Sequence, residues 1–152
     1  MMKDRNKIPI TILVCDDDED DRMLTRQALE DAHISNRIHF VEDGEQLLDY
    51  LFQRGQYGGE RGEAPRPGLI LLDLNMPKLD GREALKTIKE DPTLRDIPVV
   101  VLSTSRLDED IARSYQLGVN SFITKPVTFS GLVEAMNVLG KYWLEIVELP
   151  PV

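Results

Sequence analysis

The sequence predicts an α/β protein in which helices cover both faces of a parallel β-sheet. Two observations lead to this fold class. Short, β-branched apolar segments alternate five times with segments of helical periodicity, and the apolar segments are nearly continuous. Continuous apolar strands are typical of parallel sheets buried on both faces. Right-handed crossovers between successive strands then give a doubly wound open sheet.

Five segments are predicted to be strands, because they are short and rich in Val, Ile and Leu. Four of them are expected to be buried, and the second along the chain is the weakest. In chain order they are residues 10–15, 37–41, 69–72, 97–102 and 121–124.

The segments between the strands carry apolar residues three or four positions apart, as on one face of a helix. Asp91-Pro92 and Gly118 are expected to end two of these helices. Residues 53–68 are rich in Gly, Pro and charge and are predicted to form an exposed loop. The apolar stripes are Met23, Leu24, Ala28, Leu29 and Ala32; Leu47, Leu48 and Leu51; Ala84, Leu85 and Ile88; Ile111, Ala112 and Tyr115; and Leu132, Val133, Met136, Leu139 and Trp143.

Size and composition indicate one globular domain spanning residues 1–152. The net charge of −9 argues against nucleic acid as a direct partner, since phosphate backbones attract basic surfaces. Residues 8–15 form the apolar run nearest the N-terminus, which is too short for a signal peptide or a membrane span. We therefore expect a cytoplasmic protein that does not insert into membranes. Cys15 is expected to be a buried structural thiol.

Charged and polar residues follow four of the predicted strands. Ligands of open α/β sheets bind outside the carboxyl ends of the strands, so we expect these side chains to meet at one edge. They are Asp16 and Asp17 after the first strand, Asp73 after the third, Ser103 and Thr104 after the fourth, and Lys125 after the fifth.

This set of residue types points to phosphoryl transfer. Crowded carboxylates repel one another, and a hard divalent cation such as Mg²⁺, which prefers oxygen ligands, relieves that repulsion. The set contains no Cys or His, which argues against zinc or copper. A lysine, a hydroxyl and a metal around one carboxylate suit phosphoryl transfer, and the carboxylate can be the nucleophile.

Each residue has a simpler interpretation when it is taken alone. Acidic residues favour the first turn of a helix, and we expect that role for residues 18–21. Asp73, Ser103 and Thr104 are residue types that often cap loops, and Lys125 could extend to solvent. Their joint occurrence at successive strand ends favours a shared site.

Four motifs resemble the receiver domain of bacterial two-component response regulators. They are ILVCDDDEDDR, LILLDLNMPKLDG, the hydroxyl pair after VVVL, and SFITKP. Their order covers residues 10–144, the expected core of the domain. The resemblance implies a flavodoxin-like (βα)5 fold with strand order 2-1-3-4-5.

The resemblance also implies a role for each matching residue. Asp73 would be the phosphoacceptor, with Asp17 and Asp73 as direct Mg²⁺ ligands. Asn75 would contribute its backbone carbonyl, and Asp16 would hold metal-bound water.

The remaining matches imply a conformational switch. Ser103 would turn toward the phosphoryl group, Lys125 would pair with it, and Phe122 would rotate inward. The Lys125–Pro126 bond is expected to be cis. The phosphoryl group would come from a histidine kinase phosphohistidine, and the signal would pass to a downstream protein or phosphotransfer target. The domain would catalyse only its own phosphorylation and dephosphorylation.

The loop at 53–68 and the tail GKYWLEIVELP are similar to those of single-domain regulators paired with phytochrome-type histidine kinases. The apolar tail at 145–152 either folds back on the domain or docks on a second copy, and we favour a homodimer.

Two alternatives remain. A haloacid-dehalogenase-type phosphatase also uses an aspartyl nucleophile, but it requires a second acid two residues later, where this chain has Asn75. A pseudo-receiver that serves only for binding would lack acidic or lysine positions that are present here.

Overall fold

The structure, a computed structural model, describes residues 10–58, 64–73, 81–103, 115–116 and 118–141. Five strands in this part of the chain form one sheet, and four helices are interspersed with them. The strands are β1 (Ile12–Cys15), β2 (Ile38–Val41), β3 (Leu69–Asp73), β4 (Val99–Ser103) and β5 (Ser121–Thr124). The helices are α1 (Glu19–Asp31), α2 (Gly44–Phe52), α3 (Gly81–Glu90) and α4 (Phe129–Leu139), and a short 3-10 turn spans Gly55–Tyr57.

All neighbouring strands are parallel, and their order is β2-β1-β3-β4-β5. This confirms the predicted fold class and strand order. The chain moves from β1 outward to β2 and then returns to β3 on the other side of β1. A crevice opens at such a reversal, outside the carboxyl ends of β1 and β3. Cys15 lies opposite Leu72 in the register, so the residues after them emerge at the same level.

The sheet has an apolar core on each face, because successive side chains of a strand point to opposite faces. Leu13, Ile70 and Val101 face α2 and α3, whereas Val14, Leu71 and Val100 face α1 and α4. Each fully buried Leu or Ile contributes about 1.5–3 kcal/mol relative to an exposed one. The central strands β1, β3 and β4 are buried throughout, so they form a rigid base for the residues at their ends.

The fifth strand was predicted to be buried, but its residues are only half-buried. The prediction was wrong because β5 is an edge strand, with a neighbour on one side only. The other edge strand, β2, is half-buried at three of its four positions for the same reason.

The apolar stripe predicted for α1 is also partly wrong. Met23 and Leu24 are 64% and 45% exposed, while Thr25 is buried. The helix face that contacts the core runs through Thr25, Ala28 and Leu29, with helical spacing. The polar Thr25 therefore occupies the core-facing position that the apolar pattern predicted for Met23 and Leu24.

Residues 53–68 were predicted to form an exposed loop. In the described part of this segment, Ala64 and Pro65 are anchored to the core. Ala64 is buried, and its carbonyl accepts a hydrogen bond from Gln53 Nε2 at 3.2 Å. The Tyr50 hydroxyl donates to the carbonyl of Pro65 at 2.8 Å. Residues 59–63 of this loop lie outside the described residues, as do Ile111, Ala112, Trp143 and the tail at 145–152.

Other predictions of local structure agree with the described residues. Cys15 is buried, and its thiol donates to the carbonyl of Asp43 at 3.5 Å. Burial and the nearby carboxylates raise the pKa of this thiol well above its ordinary value, which keeps it neutral. Helix α3 ends immediately before Asp91-Pro92. None of the described helices is long and apolar enough to cross a membrane.

The His39 side chain on β2 couples the stability of the fold to pH. Its Nε2 atom is buried and has no hydrogen-bond partner among the described residues, and its ring packs 5.8 Å from that of Tyr50. Burial, with a smaller effect of the Arg37 charge, lowers the pKa of His39 in the folded state. Protonation at Nε2 would bury a charged donor without an acceptor.

We expect the free energy of unfolding to decrease as the pH falls below about 6.5, where the unfolded chain binds a proton that folded His39 resists. The stabilisation is complete above that pH and is lost toward the lowered pKa of the folded state. Urea unfolding across pH values of about 5 to 8 measures this. The His39→Phe variant should lose this part of the pH dependence. The His33→Asn variant, which replaces an exposed histidine, should keep it. Identical profiles for wild type and His39→Phe would contradict the assignment.

Candidate functional site

Three aspartates meet outside the carboxyl ends of β1 and β3. Asp16 and Asp17 follow β1 directly, and Asp73 is the last residue of β3. One carboxylate oxygen from each lies within 4.8 Å of the other two. Asp16 and Asp73 are 3% and 9% exposed, whereas Asp17 is exposed. The structure thus brings Asp73 next to Asp16 and Asp17, which lie more than fifty residues before it in the chain.

Lys125 reaches the same place from the end of β5. Its Nζ lies 2.9 Å from Asp16 Oδ2, 3.2 Å from Asp21 Oδ2 and 3.6 Å from Asp73 Oδ2. The lysine side chain is only 15% exposed. The ammonium is therefore shared by three carboxylates and not extended into solvent.

The peptide bond between Lys125 and Pro126 is trans, since the described residues contain no cis peptide bond. The expectation of a cis bond was wrong. A cis bond was expected to direct the lysine inward, but with the trans bond Nζ already lies 2.9 Å from Asp16 Oδ2. The trans form is also the one that X–Pro bonds usually favour.

The surroundings of Lys125 keep its ammonium charged. Burial alone would lower the pKa of this group, but the hydrogen bond to Asp16 and the charges of Asp73, Asp16 and Asp21 outweigh burial. The pKa of Lys125 is therefore raised above its ordinary value. The ammonium is therefore positive at neutral pH, and it offsets part of the repulsion among the carboxylates.

The donors at this site fit a hard divalent cation. Three carboxylates supply only oxygen atoms, which Mg²⁺ prefers and which zinc and copper sites seldom use alone. Three carboxylates contact the Lys125 ammonium and Asp17 lies beside two of them, so negative charge remains in excess. Asp17, Asp73 and Asp16 are the described residues that could hold such an ion. Asn75, the fourth expected ligand, lies outside the described residues.

The backbone at Asp16 is fixed by the start of α1. Asp18 donates its N–H to Asp16 Oδ1 at 3.0 Å, and Arg22 Nη1 donates to the Asp16 carbonyl at 2.9 Å. The Asp18 carboxylate in turn caps α1 by accepting from the N–H groups of Asp20 and Asp21. The acidic residues at 18–21 were expected only to form a solvated helix start. This is correct for Asp18, but Asp21 accepts a hydrogen bond from Lys125 at the site.

Sequence reasoning missed Asp21 and Arg22. The available signal was their position in the first turn after the cap, because helical side chains tilt toward the helix N-terminus. In α1 that direction points back to the end of β1. Both residues therefore reach the site from the helix, which the strand-end rule does not consider.

Ser103 ends β4 and is 1% exposed. Its carbonyl accepts a hydrogen bond from the backbone N–H of Lys125 at 2.8 Å, so the ends of β4 and β5 are joined beside the site. Thr104 lies outside the described residues.

Phe122 lies on β5 and packs against the core face formed with α2 and α3. Its backbone N–H donates to the hydroxyl of Tyr115 at 3.2 Å. The ring is half-buried on the edge strand, three residues before Lys125, which directly follows that strand. A movement of β5 would therefore affect both side chains.

Comparison with known proteins identifies relatives along nearly the whole chain. The response regulator receiver domain family matches residues 12–137. The response regulator Rcp1 of Synechocystis sp. is 40% identical over 149 residues, which cover 98% of this chain and 99% of Rcp1.

Solved structures show the same fold. The phosphorylated cyanobacterial phytochrome response regulator RcpA is 43% identical with a TM-score of 0.86, covering 95% of this chain and 100% of RcpA. The Mn²⁺-bound form of Rcp1 is 40% identical with a TM-score of 0.84, covering 94% and 100%. RPA3017, from red light signalling of R. palustris, is 39% identical with a TM-score of 0.89, covering 95% and 100%. The chain therefore belongs to the family of response regulator receiver domains.

Proposed function

We propose that this receiver domain accepts a phosphoryl group on Asp73 from the phosphohistidine of a histidine kinase, with Mg²⁺ bound beside it. The observation that carries this proposal is the meeting of Asp73 with Asp16, Asp17 and Lys125 at one edge of the sheet. A carboxylate nucleophile placed between a cation-binding pair of acids and a buried ammonium suits phosphoryl transfer. The Mn²⁺-bound form of the relative Rcp1 supports the divalent cation.

The transfer exchanges one bond to phosphorus for another. A carboxylate oxygen of Asp73 attacks the phosphorus, the bond from phosphorus to the imidazole nitrogen breaks, and the imidazole keeps the electron pair of that bond. The product is an acyl phosphate on Asp73. A bound Mg²⁺ would offset charge on the phosphoryl oxygens.

The chain's own residues orient this reaction. Asp73 is 9% exposed and ends the buried strand β3, which holds its carboxylate at the edge of the sheet. The Lys125 ammonium is 3.6 Å from that carboxylate and lies ready to donate to the phosphoryl oxygens. Asp16 and Asp17, at the end of the neighbouring strand, supply the carboxylates that hold the cation.

Phosphorylation would switch the domain through its edge strand. The new dianion attracts Lys125 and the Ser103 hydroxyl, which lie at the joined ends of β5 and β4. Because Phe122 lies on β5 and Lys125 directly follows that strand, a shift of β5 would change the position of the Phe122 ring and of the face formed with the last helix. This changed face would signal to a downstream protein partner.

The partner kinase is proposed from the relatives. RcpA is a phytochrome response regulator, and RPA3017 belongs to red light signalling. We therefore propose a phytochrome-type histidine kinase as the phosphodonor, in the cytoplasm. Residues 1–152 would act as a single receiver domain with its core at about 10–144, and the tail at 145–152 would contribute to a homodimer.

Incubation with acetyl phosphate and Mg²⁺ should add one phosphoryl group to the wild-type protein, as measured by intact mass. The Asp73→Asn variant keeps the shape of the side chain but lacks the nucleophilic carboxylate, so it should gain none. Asp31→Asn, at the exposed end of α1, removes the same charge away from the site and should react like wild type. A mass gain that survives Asp73→Asn would exclude Asp73 as the acceptor, and sustained hydrolysis of phosphomonoesters would favour a phosphatase.

Mg²⁺ should raise the free energy of unfolding, because it binds only the folded arrangement of the acids. At a concentration of about 100 times its dissociation constant the gain is about 2.7 kcal/mol. Asp17→Asn should lose most of this gain, because it removes an exposed ligand without disturbing the core. Asp20→Asn, which removes an equal charge three residues away, should retain it. Denaturant unfolding with Mg²⁺ and with a chelator measures the gain, and equal gains in all three proteins would rule out the proposed ligands.

A further inference from the structure

The ammonium of Lys125 is not shared equally among the three carboxylates that surround it. Nζ is closer to Asp16 and Asp21, at 2.9 and 3.2 Å, than to Asp73, at 3.6 Å. The first two separations are hydrogen bonds, whereas the third is a looser ion pair. Asp21 therefore helps to hold the Lys125 ammonium on the α1 side of the site, away from Asp73.

A lysine ammonium has three protons to donate. A phosphoryl group on Asp73 would present several charged oxygens to the same ammonium, and two hydrogen bonds already use it. One proton of Nζ remains for the phosphoryl group, so a second hydrogen bond to that group requires Nζ to give up its contact with Asp16 or with Asp21.

The two contacts differ in how readily they can be released. The Asp16 side chain is 5% exposed, so losing the ammonium would leave a buried carboxylate poorly compensated. The Asp21 side chain is 45% exposed, so water can replace the ammonium there. The contact with Asp21 is therefore the less costly of the two to release.

We propose that Asp21 is a positioning residue that competes with the phosphoryl group for Lys125 and so weakens the response of the lysine to phosphorylation. This inference rests on the proposed function of Asp73. Asp21 touches neither the phosphoryl group nor the cation site; it acts through the lysine alone. Its side chain reaches Lys125 from the first turn of α1, so the helix start takes part in setting the strength of the switch.

The test is the affinity of the protein for beryllofluoride, a phosphoryl mimic that binds to the carboxylate of Asp73. We expect Asp21→Asn to bind it about two- to fivefold more tightly than wild type, the range typical of a partly exposed ion pair. Titration followed by ¹⁹F NMR in the presence of Mg²⁺ measures the affinity on the intact protein.

Asp20→Asn is the matched control for this variant. Asp20 lies in the same helical turn and carries the same charge, but its carboxylate makes no contact with Lys125 among the described residues. Its affinity should stay at the wild-type value. If Asp20→Asn and Asp21→Asn tighten binding equally, the effect is one of net charge, and the inference is wrong.

The Lys125→Met background separates a contact with the lysine from any other effect of Asp21. If Asp21 acts through the lysine, Asp21→Asn should change the affinity in the wild-type background and leave it unchanged in the Lys125→Met background. A change of the same size in both would overturn the inference. If Lys125→Met binds too weakly to titrate, the comparison with Asp20→Asn decides alone.

The outcomes also separate this inference from the proposed function. Failure of the wild-type protein to bind beryllofluoride would remove both. Binding by wild type with no gain in Asp21→Asn, or with weaker binding, would remove only the role of Asp21.

Discussion

The site depends on one electrostatic constraint, the compensation of several carboxylates by a single buried ammonium. Asp16 and Asp73 are nearly buried, and ionised groups are costly to remove from water unless they are paired. Lys125 provides that pairing from the end of the edge strand β5. The remaining excess of negative charge suits a divalent cation.

The sheet divides this site into a rigid part and a part that can respond. Asp16, Asp17 and Asp73 are attached to β1 and β3, which are buried on both faces and packed by helices. Lys125 is attached to β5, an edge strand that is only half-buried. Displacing an edge strand breaks contacts on one side only, so it costs less than displacing a central strand. The acids therefore lie on central strands, whereas the ammonium that pairs with them follows an edge strand.

The sequence predicted those parts of the structure that follow from chain order and strand pattern. The five strands, their parallel pairing and the meeting of Asp16, Asp17, Asp73 and Lys125 depend on the carboxyl ends of parallel strands lying at one edge. The parts it did not predict depend on packing between elements. The burial of β5 depends on its place at the edge of the sheet, and the core face of α1 depends on how the helix rotates about its axis, which buries Thr25 and exposes Leu24.

The acidic run after β1 shows how local geometry assigns different roles to identical side chains. Asp16 leaves the strand and enters the site, and Asp18 caps the helix that follows. Once Asp18 is the cap, Asp21 and Arg22 lie in the first turn of α1, where side chains tilt back toward the strand end. Arg22 then holds the backbone of Asp16, and Asp21 holds the lysine that Asp16 also binds. The position of one cap thus decides which acids belong to the site, and composition alone does not contain that information.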